Sequence, residues 1–372
     1  MTGRTESGFP ASLPATSRRR AAVALSGGVD SATAAALLLS QGWEVIGLTM
    51  RLWDHGQTLP GQGRTCCAPE DLHDARRVAQ TLGIPFYALD LEASFREAVV
   101  EDFLAAYAHG RTPNPCIRCN QLLKFRLLLD KAMTLDAEFL ATGHYARIEQ
   151  VGGVPWLLRG KDPKKDQSYF LFATRIEDLA RIRFPLGGMN KEETRRLAEG
   201  FGLHLAEKRE SMDVCFVPDG DYAAFFKRMG REESLKPGPV VDALGRVLGT
   251  HRGVGNYTIG QRHGLGVAVG HPLHVLAIEP GANRLVVGPA EALARDSLEV
   301  EGLHWLDPQP LQDPMPVLAQ LRHATPPRPA RLEPLSATRA RVSFDSPQRA
   351  IAPGQACVFY DDDRVLGGGW IA

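Results

Sequence analysis

The six residues Ser26-Gly27-Gly28-Val29-Asp30-Ser31 follow the apolar run 21–25 without a gap and open the helical run 31–41. A strand that must turn at once into a helix constrains the fold more than any compositional figure. Two glycines let the backbone turn sharply and approach an anion with no Cβ in the way. The helix that follows presents unpaired N–H groups and the positive end of its dipole. One helix end is worth only about 0.3–1 kcal/mol to a charge, so a nest of several N–H donors has to make the site. The loop lacks the Gly-Lys-Ser/Thr ending of a Walker A loop, and it is not a GxGxxG turn. The bland alternative is a tight turn capped by Asp30 or Ser31. The strand before and the helix after favour an anion cradle.

The alternation continues through the first two hundred residues. Runs 44–50, 85–90 and 138–142 read as buried strands, and 69–82, 92–108 and 119–133 as helices. This pattern predicts an α/β fold with a doubly wound parallel sheet, which binds ligands beyond the carboxyl ends of its strands. Helical runs at 191–201 and 222–229 follow, and the texture changes after about residue 215. From Pro237 onward the chain is rich in Gly and short β-like runs, and the Gly-rich stretch 257–266 reads as a turn between domains. The Pro-rich stretch 308–316 reads as an irregular connection, and runs 317–321, 339–344 and 356–360 predict a barrel-like all-β module. The expected organisation is a disordered tail at 1–20, a catalytic domain at 21–220, a central linking domain at 221–290 and a C-terminal β-barrel at 291–372.

Charge narrows the partners. The 43 Lys and Arg match 43 Asp and Glu, which excludes a polycation that holds nucleic acid by bulk charge. Local charge is uneven. Arg111, Arg118, Lys124, Arg126 and Lys131 face only Asp130 in one stretch, and Arg159, Lys161, Lys164 and Lys165 crowd a second. Arg322, Arg328, Arg331, Arg339 and Arg341 face only Glu333 in a third. Any one of these reads first as a solvated face; together they can neutralise phosphates. No apolar run approaches the roughly 20 residues of a membrane span, and the first residues lack the apolar core of a signal peptide. A cytoplasmic protein is expected.

The 6 cysteines are too few for a disulfide scaffold. Cys116-Ile117-Arg118-Cys119 follows Thr112-Pro113-Asn114-Pro115. Two prolines stiffen this approach, and a helix start near Arg111 and Arg118 lowers a thiol pKa from about 8.5. Cys215 alone, in Val214-Cys215-Phe216-Val217, reads as packing, and so does Cys357 in its β run. Cys66-Cys67 reads as structural.

The loop resembles that of the PP-loop ATP pyrophosphatases, which adenylate a substrate oxygen. Nearly the whole chain after residue 20 then resembles the MnmA family of tRNA-specific 2-thiouridylases. The matching motifs include Thr112 to Asn120, Ala141-Thr142-Gly143-His144-Tyr145-Ala146-Arg147, Lys165-Asp166-Gln167-Ser168-Tyr169, Tyr257-Thr258-Ile259-Gly260-Gln261-Arg262-His263-Gly264 and Pro353-Gly354-Gln355. The resemblance implies a domain of the adenine nucleotide alpha-hydrolase type. In it, Ala24, Leu25, Ser26, Gly27, Gly28, Val29, Asp30, Ser31, Met50 and Gly143 bind ATP, with Asp30 on Mg²⁺. It implies that ATP adenylates the 2-oxygen of the wobble uridine in tRNAs for Lys, Glu and Gln. A persulfide on Cys215, charged by a sulfur-donor protein, attacks C2, and Cys119 resolves it through a disulfide. It implies tRNA contacts at Asn114, Pro115, Cys116, His144, Lys165, Asp166, Gln167, Arg322, His323 and Gln355; a monomer suffices for them.

Two positions depart from the family. Cys116 stands where the best-known members have Asp, and His323 where an aromatic is commoner. Cys116, Cys119 and Cys215 are three thiols, the number that holds a [4Fe-4S] cluster with one open iron. Sequence leaves persulfide relay and cluster chemistry both open, with zinc a lesser option. Two other classes compete. Another PP-loop ligase, amidating or of the argininosuccinate type, would use the loop but not three thiols. A non-catalytic RNA-binding or sulfur-carrier protein would not need the loop.

Overall fold

The computed structural model describes residues 19–53, 69–203, 214–217, 220–267 and 269–372. Most of the expected tail, Cys66-Cys67 and Ser211-Met212-Asp213 lie outside the described residues.

Strand β1 (Arg20–Ala24) is apolar at every inward position, and Ala21, Ala22 and Val23 are fully buried. Helix α1 (Val29–Ser40) leads to β2 (Glu44–Arg51), then α2 (Pro69–Leu82) to β3 (Phe86–Asp90). Helix α3 (Glu92–Phe95) runs through a π turn, Arg96–Val100, into α4 (Glu101–Ala108). Helix α5 (Pro115–Cys119) runs through a second π segment, Asn120–Leu128, into α6 (Leu129–Thr134) and on to β4 (Phe139–Ala141). The sequence predicted this helix from residue 119; it starts at Pro115, because Asn114 caps it and proline suits its first turn. A hairpin of β5 (Ala146–Val151) and β6 (Val154–Arg159) leaves the sheet, and α7 (Ile176–Leu179) precedes its last strand, β7 (Ile182–Arg183). The order is β3-β2-β1-β4-β7 with every pair parallel, so the α/β expectation holds. Helix α8 (Lys191–Gly200) packs back against α1.

After α9 (Tyr222–Arg228) comes a small four-stranded sheet of β8 (Gly238–Val241), β9 (Val247–His251), β10 (His274–Glu279) and β11 (Arg284–Gly288). The Gly-rich stretch 257–266 lies within this unit, not between units. Its Tyr257 and Leu265 are buried with Val240, Val275 and Val287. The remaining strands are β12 (Ala294–Trp305), β13 (Met315–Gln320), β14 (Arg328–Ser336), β15 (Arg339–Arg349), β16 (Ala356–Asp361) and β17 (Arg364–Ile371). They follow the order β12-β15-β14-β13-β16-β17, and β12 also pairs with β17, which closes the barrel. Strand β13 extends into the expected Pro-rich connection. Pro316 pairs only with β14, beyond the end of the β16 ladder, where its missing N–H disrupts nothing.

The barrel is not a separate bead. Strand β6 pairs with β17, and the Arg159 N–H donates to the Asp363 carbonyl at 2.8 Å. One apolar cluster joins Ala22 and Leu48 of the parallel sheet, Ile117 and Phe125 of the cysteine-bearing helix, and Ala356, Val358 and Tyr360 of the barrel. Burying one such Leu or Phe contributes about 1.5–3 kcal/mol, so this shared core ties the two units.

Candidate active site

The order of the parallel sheet puts β1 between β2 and β4, and their carboxyl ends form one edge. The loop 26–31 leaves β1 there, Met50 is the last residue but one of β2 nearby, and Gly143 follows β4. Gly27 has a φ of +70°, a conformation other residues avoid. No side chain caps α1 at Gly28, so its first-turn N–H groups face the loop. Ser31 Oγ accepts from the Ser26 N–H at 3.1 Å and donates to the Gly28 carbonyl at 3.0 Å, which ties the loop's two ends together. A Cβ at Gly143 would lie 2.7 Å from the Ser31 nitrogen, so glycine lets the β4 exit touch the helix start. Such a cradle suits a polyphosphate.

Asp30 has an unforeseen neighbour. The ammonium of Lys191 lies 2.7 and 2.8 Å from its two carboxylate oxygens, and the Tyr145 hydroxyl donates to it at 2.8 Å. The Thr194 hydroxyl oxygen lies 3.0 Å from the same Tyr145 oxygen. The Lys191 side chain is only 8% exposed. A cation already sits against both oxygens, so a magnesium ion on Asp30 does not fit this arrangement. Sequence reading missed Lys191. Its signal was a lysine in the first turn of a helix, against the helix dipole.

The cysteines sit beyond the same edge. Cys116 lies exposed in the first turn of α5, and Cys119 is half-buried at its end. Cys119 and Cys215 pack against one apolar cluster that includes Phe95, Phe103, Phe216 and Phe225. Phe216 and Val217 are fully buried and fix the chain beside Cys215. The structure thus brings Cys119 and Cys215 to one wall and leaves Cys116 outward. Among the described residues, no group of three or more His, Cys, Asp or Glu side chains is arranged to hold a metal ion. Cys357 is wholly buried in the barrel core, and burial pushes its thiol well up, as expected for packing.

The residues expected to touch RNA make many contacts within the protein. Asn114 accepts from the Ile117 N–H at 3.4 Å, and Pro115 is buried. Asp166 accepts from the Gly160 and Ser168 N–H groups at 2.9 and 3.0 Å, and Gln167 accepts from the Tyr145 N–H at 2.9 Å. They shape the loop that presents Lys165. The His323 ring lies against Phe170, tilted by 33° with centroids 4.5 Å apart, and reaches the Asp166 carbonyl at 3.0 Å. Arg322 bonds the Ala350 carbonyl. The His144 ring packs against Phe125 and Phe184, with Nδ1 2.6 Å from the Thr142 hydroxyl. Burial first, and Lys124 second, hold its pKa well below the usual value, so it stands as neutral imidazole. Gln355 donates to the Thr112 and Pro113 carbonyls at 2.9 and 3.2 Å. Arg339 and Arg341 pair with Glu299, while Arg322, Arg328 and Arg331 are exposed.

Comparison with known proteins places these features in a family. Residues 19–219 match the tRNA methyl transferase HUP domain, 224–289 the tRNA methyl transferase PRC-barrel domain, and 295–371 the aminomethyltransferase beta-barrel domain. The tRNA-specific 2-thiouridylase MnmA of Magnetococcus marinus is 58% identical over 96% of this chain and 99% of its own. That of Paracoccus denitrificans is 50% identical over 98% of this chain and 94% of its own. A solved 4-thiouridine synthetase–RNA complex with bound ATP covers 54% of this chain and 46% of that chain at 20% identity and a TM-score of 0.36, too loosely to carry an argument. Identity this high, over nearly the full length of both chains, means that the chain belongs to the tRNA-specific 2-thiouridylase family.

Proposed function

We propose that this chain transfers sulfur to C2 of the wobble uridine in tRNAs for lysine, glutamate and glutamine, activated by ATP. The supporting observation is the pairing of an uncapped anion loop at the end of β1 with two thiols, Cys119 and Cys215, on one apolar wall. ATP enters at the loop 26–31. The uracil 2-oxygen attacks the α-phosphate, and pyrophosphate leaves from the loop 26–31. This step turns a poor leaving group into AMP. A persulfide on Cys215, charged by a sulfur-donor protein, attacks C2 through its terminal sulfur, and AMP departs. The Cys119 thiolate then attacks the Cys215 sulfur and breaks the S–S bond, which releases 2-thiouridine and leaves a Cys119–Cys215 disulfide. An external dithiol reduces that disulfide. The packing of both thiols against one cluster is compatible with this relay.

Asn114, Pro115, Cys116 and His144 are proposed to surround the extruded base, with Lys165, Asp166, Gln167, Arg322, His323 and Gln355 toward the RNA. One chain carries every group in this scheme, so a monomer suffices. No helix among the described residues is long and apolar enough to cross a membrane, and a cytoplasmic setting follows from the tRNA substrate. Incubation with ATP, a persulfide donor and unmodified tRNA should yield 2-thiouridine by nucleoside mass analysis, with pyrophosphate released only when tRNA is present. Pyrophosphate release without RNA, driven by a small nitrogen donor, would sink the reading.

The exposed Arg322, Arg328 and Arg331 lie at one end of the barrel strands. Changing all three to Gln should weaken tRNA binding at least tenfold. It should also lower the slope of log K against log salt by about two, at roughly 0.7–0.9 per phosphate contact. An unchanged slope would show that this face does not meet RNA.

A further inference from the structure

The barrel reaches across to the segment that carries Cys116 and Cys119 and holds it at four points. The Thr112 N–H donates to the Pro353 carbonyl at 2.7 Å. The Gln355 amide donates to the carbonyls of Thr112 and Pro113. Arg111 pairs with Glu301 of β12 at 2.5 Å. Arg118, between the two cysteines, lays its guanidinium over the Trp370 ring of β17 at 4.4 Å, with Asp102 3.5 Å from its Nε. Trp370 is in turn backed by Phe172 at 5.9 Å.

These contacts differ in kind and agree in effect. Two carbonyls that precede a helix point at one amide, which fixes the direction from which α5 starts. A stacked guanidinium resists rotation of the helix about its axis, because turning would swing Arg118 off the ring. Together they set where Cys116 faces and how far Cys119 is covered.

We propose that Gln355 and Trp370 are positioning residues for the cysteine-bearing helix, so that the barrel is a working part of the thiol site as well as a support for RNA. The consequence for sulfur transfer rests on the thiolation reading above, but the clamp itself does not.

The test uses the full-length resting protein, without ATP or RNA. Iodoacetamide labelling is quenched over time, and each cysteine peptide is quantified by mass spectrometry. Gln355→Met keeps the bulk and removes the donor; Trp370→Leu removes the stacking face; Trp370→Phe keeps a ring. Labelling of Cys119 should rise at least fivefold in Gln355→Met and Trp370→Leu and return to within twofold of the parent in Trp370→Phe. Cys357, wholly buried, should stay unlabelled throughout and reports that the barrel remains folded. Parent-like Cys119 rates in both disruptive variants would overturn the proposal. So would a rise in Cys119 labelling that always comes with labelling of Cys357. In turnover assays, Gln355→Met should lower kcat more than it raises KM for tRNA, whereas a residue that only grips RNA would raise KM alone. If the parent protein fails to thiolate tRNA but shows this labelling pattern, the thiolation reading fails and the clamp stands.

Discussion

Replacing Cys215 by serine is expected to lower tRNA thiolation by more than a thousandfold while tRNA-dependent pyrophosphate release stays within about threefold of the parent. The separation follows from where the two chemistries sit. On the proposed scheme, adenylation uses the loop between β1 and α1, the Gly143 contact and the bound base, none of which includes residue 215. Sulfur transfer needs a side chain that can carry a second sulfur, and a hydroxyl cannot. Serine is close in size, and Phe216 and Val217 anchor the segment, so the fold should survive. Cys119→Ser should behave differently. It can accept the persulfide on Cys215 and form the uridine adduct, but it lacks the thiolate that breaks the S–S bond. It should therefore accumulate a covalent protein–tRNA species that dithiothreitol releases. Gel shift under denaturing conditions and nucleoside mass analysis read both outcomes. Full thiolation by Cys215→Ser would remove the persulfide relay. So would the absence of any adduct in Cys119→Ser alongside normal turnover.

The parts legible in the sequence are those coded by local spacing. The turn from β1 into α1 is such a part, because strand, two glycines and helix are contiguous. The buried strands of the parallel sheet are another, because apolar runs bounded by turns need no distant partner. The start of α5 was also written locally, in Asn114-Pro115, but two prolines read as a stiff approach and hid the cap. What stayed out of reach depends on long-range pairing. Lys191 meets Asp30 across 161 residues, and Gln355 meets Thr112 across 243. No periodicity encodes either. Resemblance assigned Asp166, Gln167, His323 and Gln355 to RNA, and their bonds within the protein show how loops at that surface are shaped first. The shared core was hidden for another reason. Each module has its own regular pattern, and nothing in those patterns says that Ile117 and Val358 will bury each other's surroundings.

Lys191→Met should cost on the order of 3 kcal/mol of stability and lower tRNA-dependent pyrophosphate release at least a hundredfold. The first figure follows from removing one partner of a largely buried ion pair, which leaves the other charge without compensation. Asp30 retains the Tyr145 hydroxyl, but one neutral donor does not replace an ammonium that touches both oxygens. The loss in activity has a separate cause. Asp30 sits in the first turn of α1, so a carboxylate that moves toward water drags the uncapped N–H groups that would meet the phosphates. The double variant Asp30→Asn/Lys191→Met separates the two effects. With both charges gone, most of the stability should return, because an apolar or neutral pair often replaces a buried ion pair at little cost. Pyrophosphate release should stay low, because the loop has lost the contact that holds its position. Urea unfolding gives the stability cycle, and a phosphate-coupled assay gives the activity. A single Lys191→Met variant with parent-like urea midpoint and parent-like pyrophosphate release would show that Asp30 has no need of this partner, and the place beside its carboxylate would then be open to magnesium.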